Sequence, residues 1–147
     1  MALTNKERIS RGLDAFATGF YPVLDEAMKT RSPMGGNWVE QYPEENLKTD
    51  VIAQINVFKD HRARIFRYVF SRDEANWLFE VLDWRNKISH GEPVSADDAY
   101  RALDTMERVL ARHAETASAE LLGMKQNLLR ERASDEARRA KPKTEEL

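Results

Sequence analysis

Arg85-Asn86-Lys87-Ile88-Ser89-His90 sets an arginine, a polar residue beside it and a histidine close together, and Gly91-Glu92-Pro93 follows at once. RNA can be cut without a metal when a base takes the proton of a ribose 2'-hydroxyl and that oxygen attacks the adjacent phosphate. Histidine suits the proton transfer because its ordinary pKa lies near working pH. Arginine suits the crowded phosphorane because its planar, permanently charged fork matches phosphate oxygens. Asn86 and His90 are four apart and share a helical face, so Asn86 can orient the imidazole or hold a phosphate oxygen. Arg85 lies on the neighbouring face and has to reach round. Lys87 and Ser89 stand within the same stretch as candidate substrate contacts, Ser89 through its hydroxyl.

Spacing of this kind recurs by chance. Fifteen arginines and three histidines give roughly one such pair at random, and Arg108 with His113 is a second instance. There Val109 replaces the polar neighbour, and no helix stop follows His113. His113 and His61 are therefore read as surface histidines. For Arg85, Asn86 and His90 the competing reading is a buried polar network that ties helix ends together. Other chemistries find less support. Phosphate-cradling glycine loops are missing, no acidic and histidine cluster has metal spacing, and no strained turn presents a serine nucleophile. Neither a metal nor a cofactor is expected. The chain has no cysteine, which removes disulfides, zinc ribbons and thiol catalysis.

The elements that must position these residues are helical. Thr4-Asn5-Lys6-Glu7 is a capping box, and Ile9, Leu13, Phe16, Phe20, Leu24 and Met28 follow on one helical face. Pro22 inside this run should bend the helix or split it near Gly19. From Thr30 to Glu45, Ser32-Pro33, Gly35-Gly36 and Tyr42-Pro43 are loop chemistry. Trp38 and Tyr42 there are expected to pin the loop to the body rather than to stack on a base. A second helix is expected over about Thr49 to Phe70, with Val51, Ile55, Phe58, Ile65 and Val69 inward. Its later half carries Lys59, Arg62, Arg64, Arg67 and Arg72. These are either solvated arginines with snorkelling stems or a track for backbone phosphates, with Arg62, Arg64 and Arg67 as the candidate contacts. Ser71-Arg72-Asp73-Glu74 caps a third helix that Gly91 should stop in the left-handed conformation. Ser95-Ala96-Asp97-Asp98 opens a long helix with Ala99, Leu103, Met106, Leu110, Ala117, Leu121, Met124 and Leu128 in one stripe. Unbroken to Ala133 it would run roughly 58 Å, so a break is expected near Thr116 to Ser118 or at Gly123, unless its end packs on a partner.

No strand alternation and no repeat is visible, so the expectation is an all-α, up-and-down bundle of four to five helices. With 147 residues the chain has room for one domain, placed at 1–129, and for a charged, disordered tail or linker at 130–147. No apolar run suits a bilayer, and Lys6, Glu7, Arg8 and Arg11 interrupt any leader, so no membrane association and a cytoplasmic location are expected. The net charge of −2 gives no long-range pull on nucleic acid, so any RNA contact must be local.

Asp83 to His90, together with Ser95-Ala96-Asp97-Asp98-Ala99-Tyr100-Arg101-Ala102-Leu103-Asp104-Thr105-Met106-Glu107 and the opening Thr4 to Leu13, resembles the HEPN superfamily. The branch it is most similar to is named after a yeast nuclear RNA endonuclease, and bacterial members of that branch often stand beside large phage-defence ATPases and helicases. The resemblance covers about Thr4 to Glu115. It departs from many members at Ile88 and Ser89, where they carry tryptophan and alanine. It implies a HEPN-like dimerising bundle and a metal-independent endoribonuclease that leaves a 2',3'-cyclic phosphate. In that reading His90 transfers protons, Arg85 stabilises the anion and Asn86 orients and contacts phosphate. The implied partners are RNA, a second copy of the chain, and a larger ATPase or an antitoxin, in phage defence or a toxin-type stress response. Since the superfamily includes inactive domains, the rival reading is a non-catalytic module that binds RNA or docks a larger defence ATPase.

Overall fold

Three serine or threonine caps set the helix starts, as their spacing predicts. In the computed structural model, which describes residues 2–140, Thr4 and Glu7 close a capping box on α1 (Asn5–Arg31). Ser71 and Glu74 do so on α3 (Arg72–Ser89), and Ser95 and Asp98 on α4 (Ala96–Leu110). Asp50 caps α2 (Val51–Asp60) by accepting from the Ile52 amide at 3.0 Å. The last long helix is α5 (Glu115–Ala140). Two short 3-10 turns lie at Gly35–Gln41 and Phe66–Tyr68, and no strand occurs among the described residues. No helix among them is long and apolar enough to cross a membrane.

Side-chain pairs give the directions of the helices. Arg8 at the start of α1 meets Asn127 and Glu131 late in α5, while Gly19 meets Ala117 at its start, so α1 and α5 are antiparallel. Asp50 pairs with Arg85 and Phe58 with Phe79, which makes α2 and α3 antiparallel. Glu80 with Arg101 and Glu74 with Arg112 do the same for α3 and α4. Lys125 with Asp104 and Arg132 with Asp97 do it for α4 and α5. Alternation therefore holds from α2 to α5. However, α1 and α2 run parallel, because Gln54 donates to the Ala17 carbonyl at 2.8 Å and the Ser32–Asp50 connection carries the chain back to the starting end.

Phe16, Phe20, Leu24, Ile55, Phe58, Leu78, Leu103 and Met106 form the centre of the core. Burial on both sides of Pro22 explains why α1 neither stops nor splits there. Phe16 and Phe20 before it and Leu24 and Met28 after it are all fully buried, and that apolar gain outweighs the ~3 kcal/mol proline penalty. The expected loop from Thr30 to Glu45 contains the 3-10 turn instead, and its aromatics do pin it. Trp38 is fully buried and donates to Asp25 at 2.9 Å. Tyr42 donates to Asp60 at 2.9 Å, and burial and that carboxylate hold its phenol above the usual range.

The helix expected over Thr49 to Phe70 ends at Asp60. On a continuous helix Phe66 and Phe70 would point roughly a quarter-turn or more away from Phe58. Turning the chain at 61–65 lets the three rings meet, with centroids 5.7–5.9 Å apart. His61 is half-buried at this turn, with Nε2 3.1 Å from the Tyr42 hydroxyl, and so is not the surface histidine expected. The long C-terminal helix breaks at 111–114, earlier than expected, and Gly123 lies inside α5. The hairpin folds Ala117 and Leu121 onto α1 and α4, and a Cβ at Gly19 would lie 2.3 Å from the Ala117 Cβ. The domain boundary expected at 129 also falls inside α5, which continues to Ala140. Residues 130–140 are rich in the helix formers Ala, Glu and Arg, and Glu131 pairs with Arg8, Arg132 with Asp97 and Arg138 with Asp135. The remainder of the expected tail, 141–147, lies outside the described residues.

Candidate functional site

The last turn of α3 is held from beneath. Trp84 is buried, Ile88 packs against the core, and the Lys87 ammonium stands 4.4 Å from the Trp84 ring centroid. His90 is the C-cap. The Gly91 amide bonds to the Ile88 carbonyl at 3.1 Å and the Glu92 amide to the Lys87 carbonyl at 3.0 Å. That is a Schellman closure, and Gly91 takes the left-handed φ of +70° it requires. From α1, Lys6 donates to the Gly91 carbonyl at 3.2 Å and Asn5 to the Val94 carbonyl at 3.3 Å. Both the helix end and the segment after it are thus tied to the bundle, while the polar side chains of the last turn remain open.

Arg85 is half-buried and its guanidinium lies 3.9 Å from Asp50, a loose contact with a carboxylate already engaged as a cap. Arg85 and Ser89 border a hollow of about 240 Å³ together with Ser10, Asp14, Thr49 and Asp50. Asn86 is half-buried and His90 is exposed. Neither side chain makes a hydrogen bond among the described residues, so the buried network weighed above is not what these residues form. The last turns of α3 thus carry these residues on different faces: Arg85 and Ser89 on the hollow beside Asp50, and Asn86, Lys87 and His90 outside its lining. Arg62, Arg64 and Arg67 are exposed past the far end of α2. The Arg62 guanidinium lies over the Phe58 and Phe79 rings, 5.8 and 5.3 Å from their centroids, and that of Arg67 over Tyr68 at 5.1 Å.

The second Arg/His pair has a different fate at the opposite end of the bundle. His113, with 13 % of its side chain exposed, is not a surface histidine: its Nε2 lies 2.9 Å from the buried Glu74 carboxylate. Its ring meets Phe70 edge-on, 4.9 Å between centroids. Arg112 binds the same carboxylate, and Arg108 is drawn off to Asp104 at 3.0 Å. Burial pushes the Glu74 carboxyl up, but the Arg112 guanidinium, the Ser71 amide and the charge of His113 override it and bring it down to about 2. Sequence reasoning found Glu74 only as half of a capping box. The adjacent Arg112-His113 just past a helix was the available signal for its second role.

The family model described as Swt1-like HEPN matches residues 11–112, which runs from the first turns of α1 through α4 and includes the last turn of α3. No curated protein and no solved structure matches the chain. A match over more than half of the chain, on a described structure that is helical throughout, leads to one conclusion: the chain belongs to the Swt1-like HEPN family.

Proposed function

We propose that the chain is a metal-independent endoribonuclease domain. The observation that carries this reading is the open, unbonded pair Asn86 and His90 beside Arg85 on a helix end that is itself firmly closed. His90 acts at one of the two proton transfers, taking the 2'-hydroxyl proton or returning one to the 5'-oxygen as the P–O5' bond breaks. A second copy of the motif in a homodimer supplies the other transfer. Arg85 leaves its loose contact with Asp50 to neutralise the phosphorane oxygens, and Asn86 holds the imidazole or a phosphate oxygen. Lys87 and Ser89 flank the bound strand. The products are a 2',3'-cyclic phosphate and a free 5'-hydroxyl, and the setting is phage defence or a toxin-type response restrained by an antitoxin or a larger ATPase.

The test is cleavage of tRNA and total RNA in EDTA, with product ends identified. Cyclic-phosphate ends from the parent that disappear in Arg85→Ala and His90→Ala support the reading. A His90→Ala variant that cuts as fast as the parent sinks it. The second reading, a non-catalytic module docked on a larger ATPase, is favoured by residues 133–140 of α5, which are exposed on every side. A folded, dimeric parent that binds RNA and cuts none would support it.

A further inference from the structure

Resting on the ribonuclease reading, we infer that the RNA strand leaves His90 along one face of α3 and is held by the arginines at the far end of that helix. Arg72, Asn76, Phe79, Asp83, Asn86 and His90 recur at steps of four and three, so they form one strip along α3. The buried Glu74, Leu78, Val81 and Trp84 point elsewhere, the small buried Ala75 lies at the strip's edge, and every member of the strip is exposed or half-buried. Asp83 is the one acidic member.

The strip ends in cations that no carboxylate among the described residues pairs with. Arg62, Arg67 and Arg72 border a hollow of about 230 Å³ floored by Phe58, Phe66 and Phe70. Together with Arg64, they form no ion pair among the described residues, and neither do Arg11, Arg31, Arg130 and Arg139; what sets Arg62, Arg67 and Arg72 apart is that they share one hollow. In a chain of net charge −2, such a local surplus on one side of one helix suits a polyanion. The Arg62 guanidinium, poised over the Phe79 ring, brings the surplus onto the strip itself. Tyr68, 61 % exposed between the guanidinia of Arg31 and Arg67, adds an aromatic face beside it. Along the axis Phe79 lies about 10 Å from Asn86 and Arg72 about 21 Å. A single strand needs several nucleotides to cover that distance. The favoured substrate therefore carries several nucleotides on one side of the scissile bond.

The probe is 2'-O-methyl RNA, which lacks the attacking hydroxyl, at lengths of about four and about twelve nucleotides. The parent is expected to bind the longer probe at least about tenfold tighter than the shorter at low salt. The triple Arg62→Gln, Arg67→Gln, Arg72→Gln loses that preference, and its log K against log salt flattens by about two. The corresponding lysine triple keeps the salt slope, and so does a control triple of exposed arginines elsewhere, Arg11→Gln, Arg130→Gln, Arg139→Gln. A glutamine triple that keeps both the preference and the slope overturns the track. Because the probe cannot be cut, the two readings fail separately. A parent that shows the length rule but cleaves no natural RNA loses the catalytic reading alone. A parent that cleaves RNA while the glutamine triple binds like it loses the track alone.

Discussion

The chain carries two arginine-to-histidine pairs of identical spacing, and the bundle treats them in opposite ways. At one end Arg108 and His113 are drawn inward: Asp104 takes the arginine, Glu74 takes the histidine, and Phe70 covers the ring. At the other end Arg85 keeps only a 3.9 Å ion pair, and the Asn86 and His90 side chains form no hydrogen bond among the described residues. The difference lies in the neighbours and not in the pairs. A buried carboxylate whose own cap amide, Arg112 and His113 all converge on it makes a rigid post. A Schellman turn that spends only backbone groups on closing α3 leaves its side chains for a ligand.

Substitutions at the two ends should separate accordingly. The largest expected effect is catalytic. His90→Ala and Arg85→Ala should each lower RNA cleavage by about 100-fold or more, read as initial rate with the fold checked by circular dichroism. His113→Ala should change that rate by less than about threefold while lowering the melting temperature, since it touches stability and not the reacting strand. Next is Glu74→Gln, expected to cost roughly 3 kcal/mol in urea unfolding, because it removes the buried charge and turns one of the two oxygens that face Ser71, Arg112 and His113 into a donor. Acid should expose the same post. The Glu74 carboxyl is depressed from 4.5 to about 2 in the folded chain, so its stabilisation is complete above 4.5 and drains away as pH falls toward 2. Stability measured across that window should slope less in Glu74→Gln than in the parent. Smallest is Gly91→Ala. Nothing stands within 4 Å of the added Cβ, so only the φ of +70° is strained, at about 1 kcal/mol, and fraying of the α3 end should accompany it.

The caps and the α3 stop were legible because each is a local rule. Thr4, Ser71 and Ser95 bond to residues three positions on, and Gly91 needs only its own φ. What the sequence hid was tertiary. Nothing local says that Pro22 lies between buried Phe20 and Leu24, or that Phe58, Phe66 and Phe70 gain more from meeting than α2 gains from continuing. The turn at 111–114 has no glycine or proline to announce it, and the close approach of Gly19 to Ala117 that it serves joins residues far apart in the chain. The polar tail was read from its lack of apolar residues, whereas α5 is extended there by pairs to Arg8 and Asp97 that no window of sequence contains. The burial of His113 is hidden for the same reason: its partner is thirty-nine residues away. Arg85, Asn86 and His90 are legible as a group because six consecutive residues carry all three, and their openness is not, since it depends on what the other helices fail to offer.

The most direct measurement places the two histidines side by side. Cleavage of tRNA in EDTA would be followed for the parent, His90→Ala and His113→Ala, each below its own melting transition. Cyclic-phosphate ends are expected from the parent and from His113→Ala, and none from His90→Ala. Cleavage that survives in His90→Ala and is lost in a folded His113→Ala would contradict it and move the chemistry to the opposite end of the bundle.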